Sequence, residues 1–315
     1  MNTKPLKLLL QRKKNGNKND GRHIALVLEG GGMRGVATGG MVSAFEDEGL
    51  RDFFDSVHGS SSGAGAAAYF TCKQSHIGTS IYYEDLIGNE FISFSRLFYN
   101  RPIMDIDYLV DDVMVNKKKL HFDKEDKNKP QLNLILTDIK KKKAIIVNNF
   151  SSTKHLLEIM KMSMSVPFIT RGVYNYNNIL VTDGGMVAHI PLQSAIDSGA
   201  TDIVFLGTRK RDELNYSVKT IYQYLQATFL SLRYGREFYD IALRQNVFVY
   251  DSLQKILNGG EGGVRITHIP LSDETPKVKR LTKDKRLLRK AAGVNKNLIH
   301  GILKNLSKEN FDTLK

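Results

Sequence analysis

Two short apolar runs in the first quarter of the chain are each followed by a glycine-containing turn and then by a segment with helical spacing. HIALVL, residues 23–28, precedes the turn EGGGMRG, and FFDSV, residues 53–57, precedes GSSSGAG. Short apolar and β-branched runs bounded by glycine are typical of buried strands. A repeated order of strand, turn and helix predicts a mainly parallel sheet covered by helices, which is an α/β fold.

The same alternation continues to about residue 270. A β-hairpin with a basic turn is predicted over residues 131–150. A helix is predicted from Ser152 or Thr153 to Met162, and further strands are predicted at residues 177–183, 201–208, 246–252 and 264–270. No internal repeat or domain break interrupts this order, so a single domain is predicted.

The predicted domain covers residues 22–270. Residues 1–21 are basic and contain only the short apolar run LKLLL, so we expect a flexible arm there. Residues 271–315 are also basic and predict short helices that form a C-terminal appendage on the outside of the domain.

The charge of the chain indicates which partners it favours. Its formal net charge is +13, and the lysines cluster in runs such as Lys140–Lys143 and Lys277–Lys290. An excess of positive charge favours anionic partners, among them acidic lipid headgroups. Zinc-ligand spacing, a recognition-helix signature and the aromatic strands of an RNA-binding sheet are all absent from the sequence, so we expect no nucleic acid partner.

Cysteine content and the N-terminal sequence bear on the compartment. A single cysteine, Cys72, excludes a disulfide framework within the chain and fits a reducing environment. LKLLL is shorter than the apolar core of a signal peptide, and no stretch approaches the roughly 18 apolar residues of a membrane span. We therefore expect a cytoplasmic protein that makes peripheral contact with anionic membrane.

The first glycine turn is compatible with two kinds of ligand. Gly30, Gly32 and Gly35 satisfy the pattern G-x-G-x-x-G between a strand and a helix. A dinucleotide site would also place an acidic residue about 20 residues later, at the end of the second strand, where this chain has its serine turn. The favoured alternative is an oxyanion site, because backbone amides at a helix N-terminus stabilise negative charge. Gly31 and Gly32 would then let the substrate carbonyl approach closely.

The second glycine turn fits the pattern G-x-S-x-G, with Ser61 at its centre. In that motif the serine lies on a tight bend between a strand and a helix, and the flanking glycines relieve steric crowding. A serine nucleophile needs a base that accepts its proton. The turn therefore predicts a nucleophile at Ser61, with the base still to be found.

The residues alone leave two kinds of base open. His268 and His300 lie in no motif that would bring them to the turn, whereas His189 follows Asp183 by only a few residues. Asp183 ends a predicted strand and is followed by two glycines. With a reference pKa of about 3.9, an aspartate would act as a base at neutral pH only if burial raised its pKa.

GGGMRG, GSSSGAG and DGG occur in this order, each at the end of a predicted strand. Together with the segment SMSVPFITRGVYNYNNILVTDGGMVAHIP they resemble the patatin-like phospholipase family, and the resemblance runs from about Ile24 to Pro270. It implies a three-layer α/β/α fold with a mainly parallel central sheet. It also implies hydrolysis of lipid acyl esters by a Ser-Asp dyad, without a metal or a cofactor.

Carried over motif by motif, the resemblance implies that Ser61 is the nucleophile and Asp183 the base. The oxyanion loop would comprise Gly30, Gly31, Gly32, Met33, Arg34 and Gly35, the serine turn Gly59, Ser60, Ser62 and Gly63, and the remainder of the Asp-Gly-Gly motif Gly184 and Gly185. Arg34 is expected to fix the loop. His189 stands where many members carry asparagine, and Ser62 where alanine is usual. His189 is therefore a candidate auxiliary group that protonates the leaving group.

The predicted function is that of a lipid acyl hydrolase, a serine carboxylic ester hydrolase of the phospholipase or lysophospholipase type. Its predicted partners are a lipid ester substrate and an anionic membrane surface. One alternative is a catalytically silent lipid-binding protein with the same fold. The other is an esterase for soluble short-chain esters.

Overall fold

A computed structural model of the chain describes residues 2–214, 221–260 and 262–308. Its centre is a sheet of eight strands. The strands are β1 (Ile24–Leu28), β2 (Ser56–Gly59), β3 (Gln131–Asp138), β4 (Lys143–Val147), β5 (Tyr174–Tyr176), β6 (Ile179–Asp183), β7 (Asp202–Leu206) and β8 (Arg265–Ile269).

Helices surround this sheet. They are α1 (Lys4–Asn15), α2 (Gly35–Asp47), α3 (Ser62–Thr71), α4 (Ser75–Glu84), α5 (Thr153–Ser163), α6 (Gly185–Ala188), α7 (Leu192–Asp197), α8 (Ile221–Tyr234), α9 (Glu237–Leu257) and α10 (Lys285–Ser307). Short 3₁₀ turns occupy Gly32–Arg34, Arg51–Phe53, Phe94–Tyr99 and Arg211–Leu214, and Tyr108–Lys117 is a π-helix. Of the described helices, none is long and apolar enough to cross a membrane.

The strand order is β5-β6-β3-β2-β1-β7-β8, with β4 also paired to β3. All pairs from β3 across β2, β1 and β7 to β8 are parallel, whereas β4 and β6 run antiparallel to β3. The mainly parallel sheet and the predicted hairpin, now β3 and β4, are thus confirmed.

Alternate residues of β1 face opposite layers of helices. Leu26 and Leu28 belong to a core cluster with buried residues of α2, α3, α5 and α10. Ala25 and Val27 belong to a second cluster, with residues of α7 and α9. All four side chains are fully buried. The sheet therefore lies between two helical layers, which confirms the expected three-layer α/β/α fold.

The N-terminal segment differs from the predicted flexible arm. Leu6 and Leu9 of α1 are fully buried in the core cluster that contains Leu26. Their spacing of three residues places both on one helical face. Arg12 is also buried, and its guanidinium pairs with Asp20 at 2.7 Å and with Asp55 at 2.6 Å. The short leucine run thus packs as an amphipathic helix, and the expectation of a flexible arm is wrong.

The C-terminal segment also packs differently from the expected short outer helices. α10 is one helix of 23 residues. Leu288, Ala292, Ile299 and Leu303 recur at helical spacing and are buried in the same cluster as α2. The basic residues between them are mostly exposed. Segment 285–307 therefore contributes one amphipathic face to the main core.

Residues 246–252, predicted as a strand, lie inside α9. The run contains β-branched and aromatic side chains, which favour strands locally. Val249, Leu253 and Ile256 are nevertheless buried at helical spacing, in the same core cluster as Ala25 and Val27 of β1. Burial on a helical face overrides the local strand preference, so this strand prediction is wrong.

The register of the sheet brings the serine turn and Asp183 together. Gly59, the last residue of β2, lies opposite Leu134 of β3. Asp183, the last residue of β6, lies opposite Leu136, only two residues further along β3. Ser61 is two residues beyond Gly59. In open α/β sheets, ligands bind at this edge, beyond the carboxyl ends of the parallel strands.

Candidate active site

Ser61 lies on the bend between β2 and α3. Its backbone has φ 54° and ψ −131°, which is a strained conformation for a residue with a side chain. Its amide donates a hydrogen bond to the carbonyl of Ser163 at 3.1 Å. The same carbonyl accepts the amide of Gly184 at 3.3 Å. The last residue of α5 therefore joins the serine turn to the Asp-Gly-Gly motif.

Close backbone contacts require the two glycines of the turn. A Cβ atom at Gly59 would lie 2.4 Å from the carbonyl oxygen of Gly63, and one at Gly63 would lie 2.6 Å from that of Leu28. Ser60 makes a further contact, donating its hydroxyl to the carbonyl of Ala188 at 2.7 Å. These contacts hold the bend between its strand and helix.

Asp183 is buried, and hydrogen bonds fix its main-chain carbonyl and one of its carboxylate oxygens. Oδ1 accepts the amide of Gly185 at 2.7 Å, and the main-chain carbonyl accepts the hydroxyl of Thr137 at 2.7 Å. Among the described residues, Oδ2 has no partner in full hydrogen-bond geometry. One oxygen is thus oriented by the backbone, and the other remains available.

Burial raises the pKa of the Asp183 carboxyl to about 7. The hydroxyl of Ser61, the amide of Gly185 and the charge of Arg280 oppose this shift, so desolvation is the dominant cause. The pKa matches that of a general base at neutral pH, which is what sequence reasoning required of Asp183.

Three polar side chains converge on the space above Gly185. A Cβ atom at this position would lie 2.8 Å from Asp183 Oδ1, 3.3 Å from His189 Nδ1 and 3.7 Å from Ser61 Cβ. Any side chain at position 185 would fill the space between the serine and the carboxyl. The structure therefore brings together Ser61, Asp183 and His189, and glycine at this position keeps the space open.

The glycine loop is anchored at both ends through its backbone. The amide of Gly30 donates to the carbonyl of His189 at 3.1 Å. The amide of Met33 donates to the carbonyl of Arg280 at 3.1 Å. The loop is therefore fixed against the segment after β6 on one side and the segment before α10 on the other.

Two amides remain between these anchors. The amide of Gly31 donates to Ser62 Oγ at 2.9 Å, so the unusual serine at position 62 occupies it. The amide of Gly32 donates to none of the described residues. Gly32 has φ 59°, a conformation that favours glycine, and a Cβ atom there would lie 2.8 Å from the carbonyl oxygen of Arg280. Among the described residues, the amide of Gly32 is thus free, and the neighbouring amide of Gly31 is bonded to the hydroxyl of Ser62.

Arg34 folds back over the loop. A Cβ atom at Gly31 would lie 3.0 Å from Arg34 Nε and 3.2 Å from Thr208 Oγ1. Glycine at position 31 thus makes room for the arginine, whereas the sequence led us to expect room for the substrate carbonyl. Arg34 Nε and Nη2 are buried without a hydrogen-bond partner among the described residues, and the charge of the guanidinium interacts with the carboxylate of Glu29.

His189 lies between the cavity and a buried acid that sequence reasoning missed. Its Nε2 is 3.4 Å from Glu29 Oε1, and Glu29 also accepts the amide of Thr208. Burial alone would raise the pKa of Glu29, but His189 and the nearby arginines outweigh it and hold the pKa below its usual range. Burial lowers the pKa of His189, and Glu29 offsets this only in part. A neutral imidazole beside a carboxylate is therefore expected.

His268 and His300, the other two candidate histidines, do not line the space between Ser61 and Asp183. His268 stacks on Phe205 with ring centroids 5.0 Å apart, and burial lowers its pKa to about 4. His300 Nδ1 lies 2.9 Å from Glu48 Oε1, between α10 and the end of α2. Within the described part of the chain, no group of three or more His, Cys, Asp or Glu side chains could hold a metal ion.

Ser61 opens onto a cavity with one polar end. Ser61, Asp183, His189 and Arg280 line that end together with Gly31 and Gly32. The remaining wall is largely apolar and includes Val42, Ile81, Leu86, Phe91, Met104 and Met164. Pockets of this kind bind apolar ligands and orient them with a few polar groups.

Sequence reasoning missed three contributors to this site. Glu29 directly precedes the glycine loop, so its position could have drawn attention. Ser163 acts through its carbonyl, which no side-chain pattern reports. Arg280 lies in a basic run far along the chain, and only the fold brings it to the cavity.

Comparisons with known proteins matched the chain to a family model, a curated relative and a solved structure. A family model described as patatin-like phospholipase matches residues 26–196, just over half of the chain. The uncharacterized protein YjjU of Escherichia coli strain K12 is 27% identical over 186 residues, which are 59% of this chain and 52% of YjjU. The chain thus spans about half the length of this curated relative. VipD from Legionella pneumophila, a solved structure, is similar over 90% of this chain and 67% of its own, with a TM-score of 0.44 and 12% identity.

Proposed function

The chain belongs to the patatin-like phospholipase family, a family of lipid hydrolases, and on this premise we propose that it is a serine carboxylic ester hydrolase with Ser61 as nucleophile and Asp183 as base. One observation carries the proposal. A buried carboxyl with a pKa of about 7 lies beside a serine on a strained bend, at the polar end of an apolar cavity.

In the first half of the reaction, Ser61 Oγ attacks the acyl carbonyl while Asp183 accepts the hydroxyl proton. The free amide of Gly32 donates to the oxyanion that forms. Gly31 contributes a second amide if the oxyanion displaces Ser62 Oγ. When the tetrahedral intermediate collapses, the proton on Asp183 passes to the leaving alcohol, and an acyl ester of Ser61 remains.

In the second half, water attacks the acyl ester and Asp183 accepts a proton from it. The same amides stabilise the second oxyanion. Collapse of this intermediate returns the proton from Asp183 to Ser61 Oγ and releases the fatty acid. Asp183 thus carries one proton in each half-reaction and ends in its starting state.

The substrate class follows from the cavity. Its apolar wall suits an acyl chain, whereas Arg280 at the polar end suits an anionic headgroup such as phosphate. We therefore favour phospholipids and lysophospholipids as substrates, and an anionic membrane as the surface where the protein meets them. The net charge of +13 supports that contact.

The proposal is tested by measuring hydrolysis of p-nitrophenyl esters of increasing chain length, and of phospholipids labelled in the acyl chain. We expect kcat/KM to rise with chain length, because each methylene buried in the cavity contributes about 0.8 kcal/mol. A preference for the shortest ester would support a soluble esterase instead. Binding of labelled lipid without release of fatty acid would support the silent lipid-binding alternative.

For His189 we propose a role in the second half of the reaction. Glu29 beside Nε2 favours the tautomer with hydrogen on Nε2, which leaves Nδ1 as an acceptor facing the cavity. An acceptor can orient the attacking water but cannot protonate the leaving group, the role suggested by the sequence. His189 would then act with Asp183 on water, and Glu29 would position its ring.

We accordingly expect His189→Asn to lower kcat by about tenfold to a hundredfold, while kcat/KM stays close to the wild-type value. Slower deacylation lets the acyl-enzyme accumulate, so a burst of p-nitrophenol should precede the slow steady state. His300→Asn is the matched control, because that histidine contacts Glu48 and does not line the cavity. If kcat/KM falls as much as kcat and no burst occurs, His189 has a structural or earlier role.

A further inference from the structure

Beside the cavity the chain forms a finger, defined here as residues 93–102. Its base is an antiparallel bridge between Ile92 and Met104 and a hydrogen bond from the amide of Ser93 to the carbonyl of Ile103 at 2.9 Å. Phe91 and Met104, on either side of this base, both line the cavity. The finger is therefore continuous with the cavity wall.

The finger exposes large apolar side chains. Phe98 is 88% exposed and Tyr99 is 77% exposed, and Phe94 and Leu97 are also exposed. Single exposed apolar residues are ordinary, but four within six consecutive positions form a patch of the kind that marks an interaction surface. The proposed catalysis uses none of these side chains.

Hydrogen bonds hold the finger in this arrangement. Arg96 donates to the carbonyl of Phe91 at 3.1 Å and to that of Glu90 at 2.7 Å. Its guanidinium also lies 3.5 Å from the carboxylate of Asp105. The arginine thus ties the finger to its own base, so the exposed aromatic side chains are presented by an ordered backbone.

Positive charge lies next to the finger. Lys283 donates to Asn89 Oδ1 at 2.7 Å and to the carbonyl of Ile92 at 3.1 Å, which brings the start of α10 to the base of the finger. Lys285 and Arg286, in the first turn of α10, are exposed. The acidic groups in this region are Glu84, Glu90, Asp105 and Asp284; Lys118 pairs with Glu84, Arg96 pairs with Asp105, and Asp284 caps α10.

From this arrangement we propose that the finger and the start of α10 form a docking surface for an anionic lipid membrane. Aromatic side chains are favoured at the boundary between headgroups and acyl chains, and nearby lysine and arginine are attracted to anionic lipid. A protein partner would explain the apolar patch, but the adjoining basic turn favours phosphate-bearing lipid. This inference rests on the membrane contact of the proposed function and assigns it to named residues, and docking itself requires no turnover.

Docking in this position would bring lipid to the cavity. Because Met104 belongs to the base of the finger, Phe91 adjoins it and both line the cavity, an acyl chain next to the inserted finger has an apolar route towards Ser61. The finger would thus couple surface binding to substrate entry.

The test is co-sedimentation with vesicles, with every variant made in a Ser61→Ala chain so that no lipid is hydrolysed. Phosphatidylcholine vesicles are compared with vesicles that also contain phosphatidylglycerol. We expect Phe98→Ser to weaken binding to the anionic vesicles by about tenfold or more, from loss of one inserted aromatic side chain. Binding that is equal in Phe98→Ser and the parent overturns the proposal.

The chain offers a matched control for the apolar contribution. Leu97 is 43% exposed on the finger, and Leu257 is 49% exposed at the end of α9. The next strand, β8, begins at Arg265, and the parallel strands begin on the side of the sheet opposite the cavity. We expect Leu97→Ser to weaken vesicle binding and Leu257→Ser to leave it unchanged. Equal effects of the two substitutions would indicate nonspecific adsorption and contradict the proposal.

A second arm tests the charged contribution. Lys285→Glu with Arg286→Glu should weaken binding to anionic vesicles but not to neutral ones, and added salt should reproduce that loss in the parent chain. Acidic residues in the first turn stabilise a helix, so unfolding of α10 would not explain the result. Binding that does not depend on salt would contradict the proposal. A self-association that Phe98→Ser abolishes without affecting vesicle binding would show that the exposed patch binds a second copy of the chain instead of a membrane.

Discussion

Ser61→Ala is expected to lower kcat for ester hydrolysis by about 10⁴-fold or more, the scale of loss when a serine nucleophile is removed. Without Oγ no acyl-enzyme can form, and only weak catalysis by the oxyanion amides and by substrate binding remains. The protein should fold normally, because alanine removes one hydroxyl at a position that the backbone fixes through Ser163.

Ser62→Ala is the control within the same turn. Its hydroxyl covers the amide of Gly31, so its removal frees a second oxyanion donor. We expect this variant to keep the wild-type rate or exceed it. A Ser61→Ala protein that retains substantial activity, or a Ser62→Ala protein that loses all of it, would place the nucleophile elsewhere.

Asp183→Asn is expected to lower kcat by about 10³- to 10⁴-fold, because the amide cannot accept the proton of Ser61. The pH profile of the wild-type enzyme should reflect the same group. Below its pKa of about 7 the carboxyl of Asp183 is protonated and cannot act as a base. We therefore expect kcat/KM to rise about tenfold per pH unit in the acidic range and to level off above that pKa.

The free energy of unfolding of Asp183→Asn provides the control for its loss of activity. The folded-state pKa of Asp183 is raised from 3.8 to about 7, so the folded state binds its proton more tightly than the unfolded state does. The free energy of unfolding of the wild type therefore falls as pH rises between those values. Asparagine carries no charge, so Asp183→Asn should be the more stable protein above this range, by at most about 4 kcal/mol.

Urea unfolding at a pH above 7 and at one near 4 measures this difference. The gain in stability should be present at the higher pH and absent at the lower. An inactive but more stable variant would show that the loss of activity is chemical. If Asp183→Asn is destabilised at high pH, the carboxylate is stabilised in the folded protein, and its role as a neutral-pH base fails.

Local signals in the sequence predicted the polar end of the site. A strained bend needs glycines close to the serine, and a loop with exposed amides needs glycine at position 32. Both motifs can therefore be recognised from the amino-acid sequence alone. The strand before the glycine loop, β1, is apolar throughout and was easy to predict, whereas β2 (Ser56–Gly59) contains Ser56 and His58 and begins three residues after the start predicted at Phe53. The Asp-Gly-Gly motif could be placed because β6 ends at Asp183.

Tertiary packing decided what the sequence did not predict. The leucines of α1 and the long apolar stripe of α10 indicate amphipathic helices, but nothing local shows that both pack into the main core. Residues 246–252 favour a strand locally and are helical because Val249 and its neighbours are buried on one helical face. Arg280 reaches the cavity only through the fold of the segment before α10.

The most direct test of the central claim is to identify the residue that carries the acyl group. The enzyme is mixed with a long-chain p-nitrophenyl ester, quenched in acid during the first turnovers, digested and analysed by tandem mass spectrometry. We predict the acyl mass on Ser61 in the wild type and on no residue of the Ser61→Ala protein. Acylation of a different residue, or turnover without any acylated peptide, would contradict the claim that Ser61 is the nucleophile.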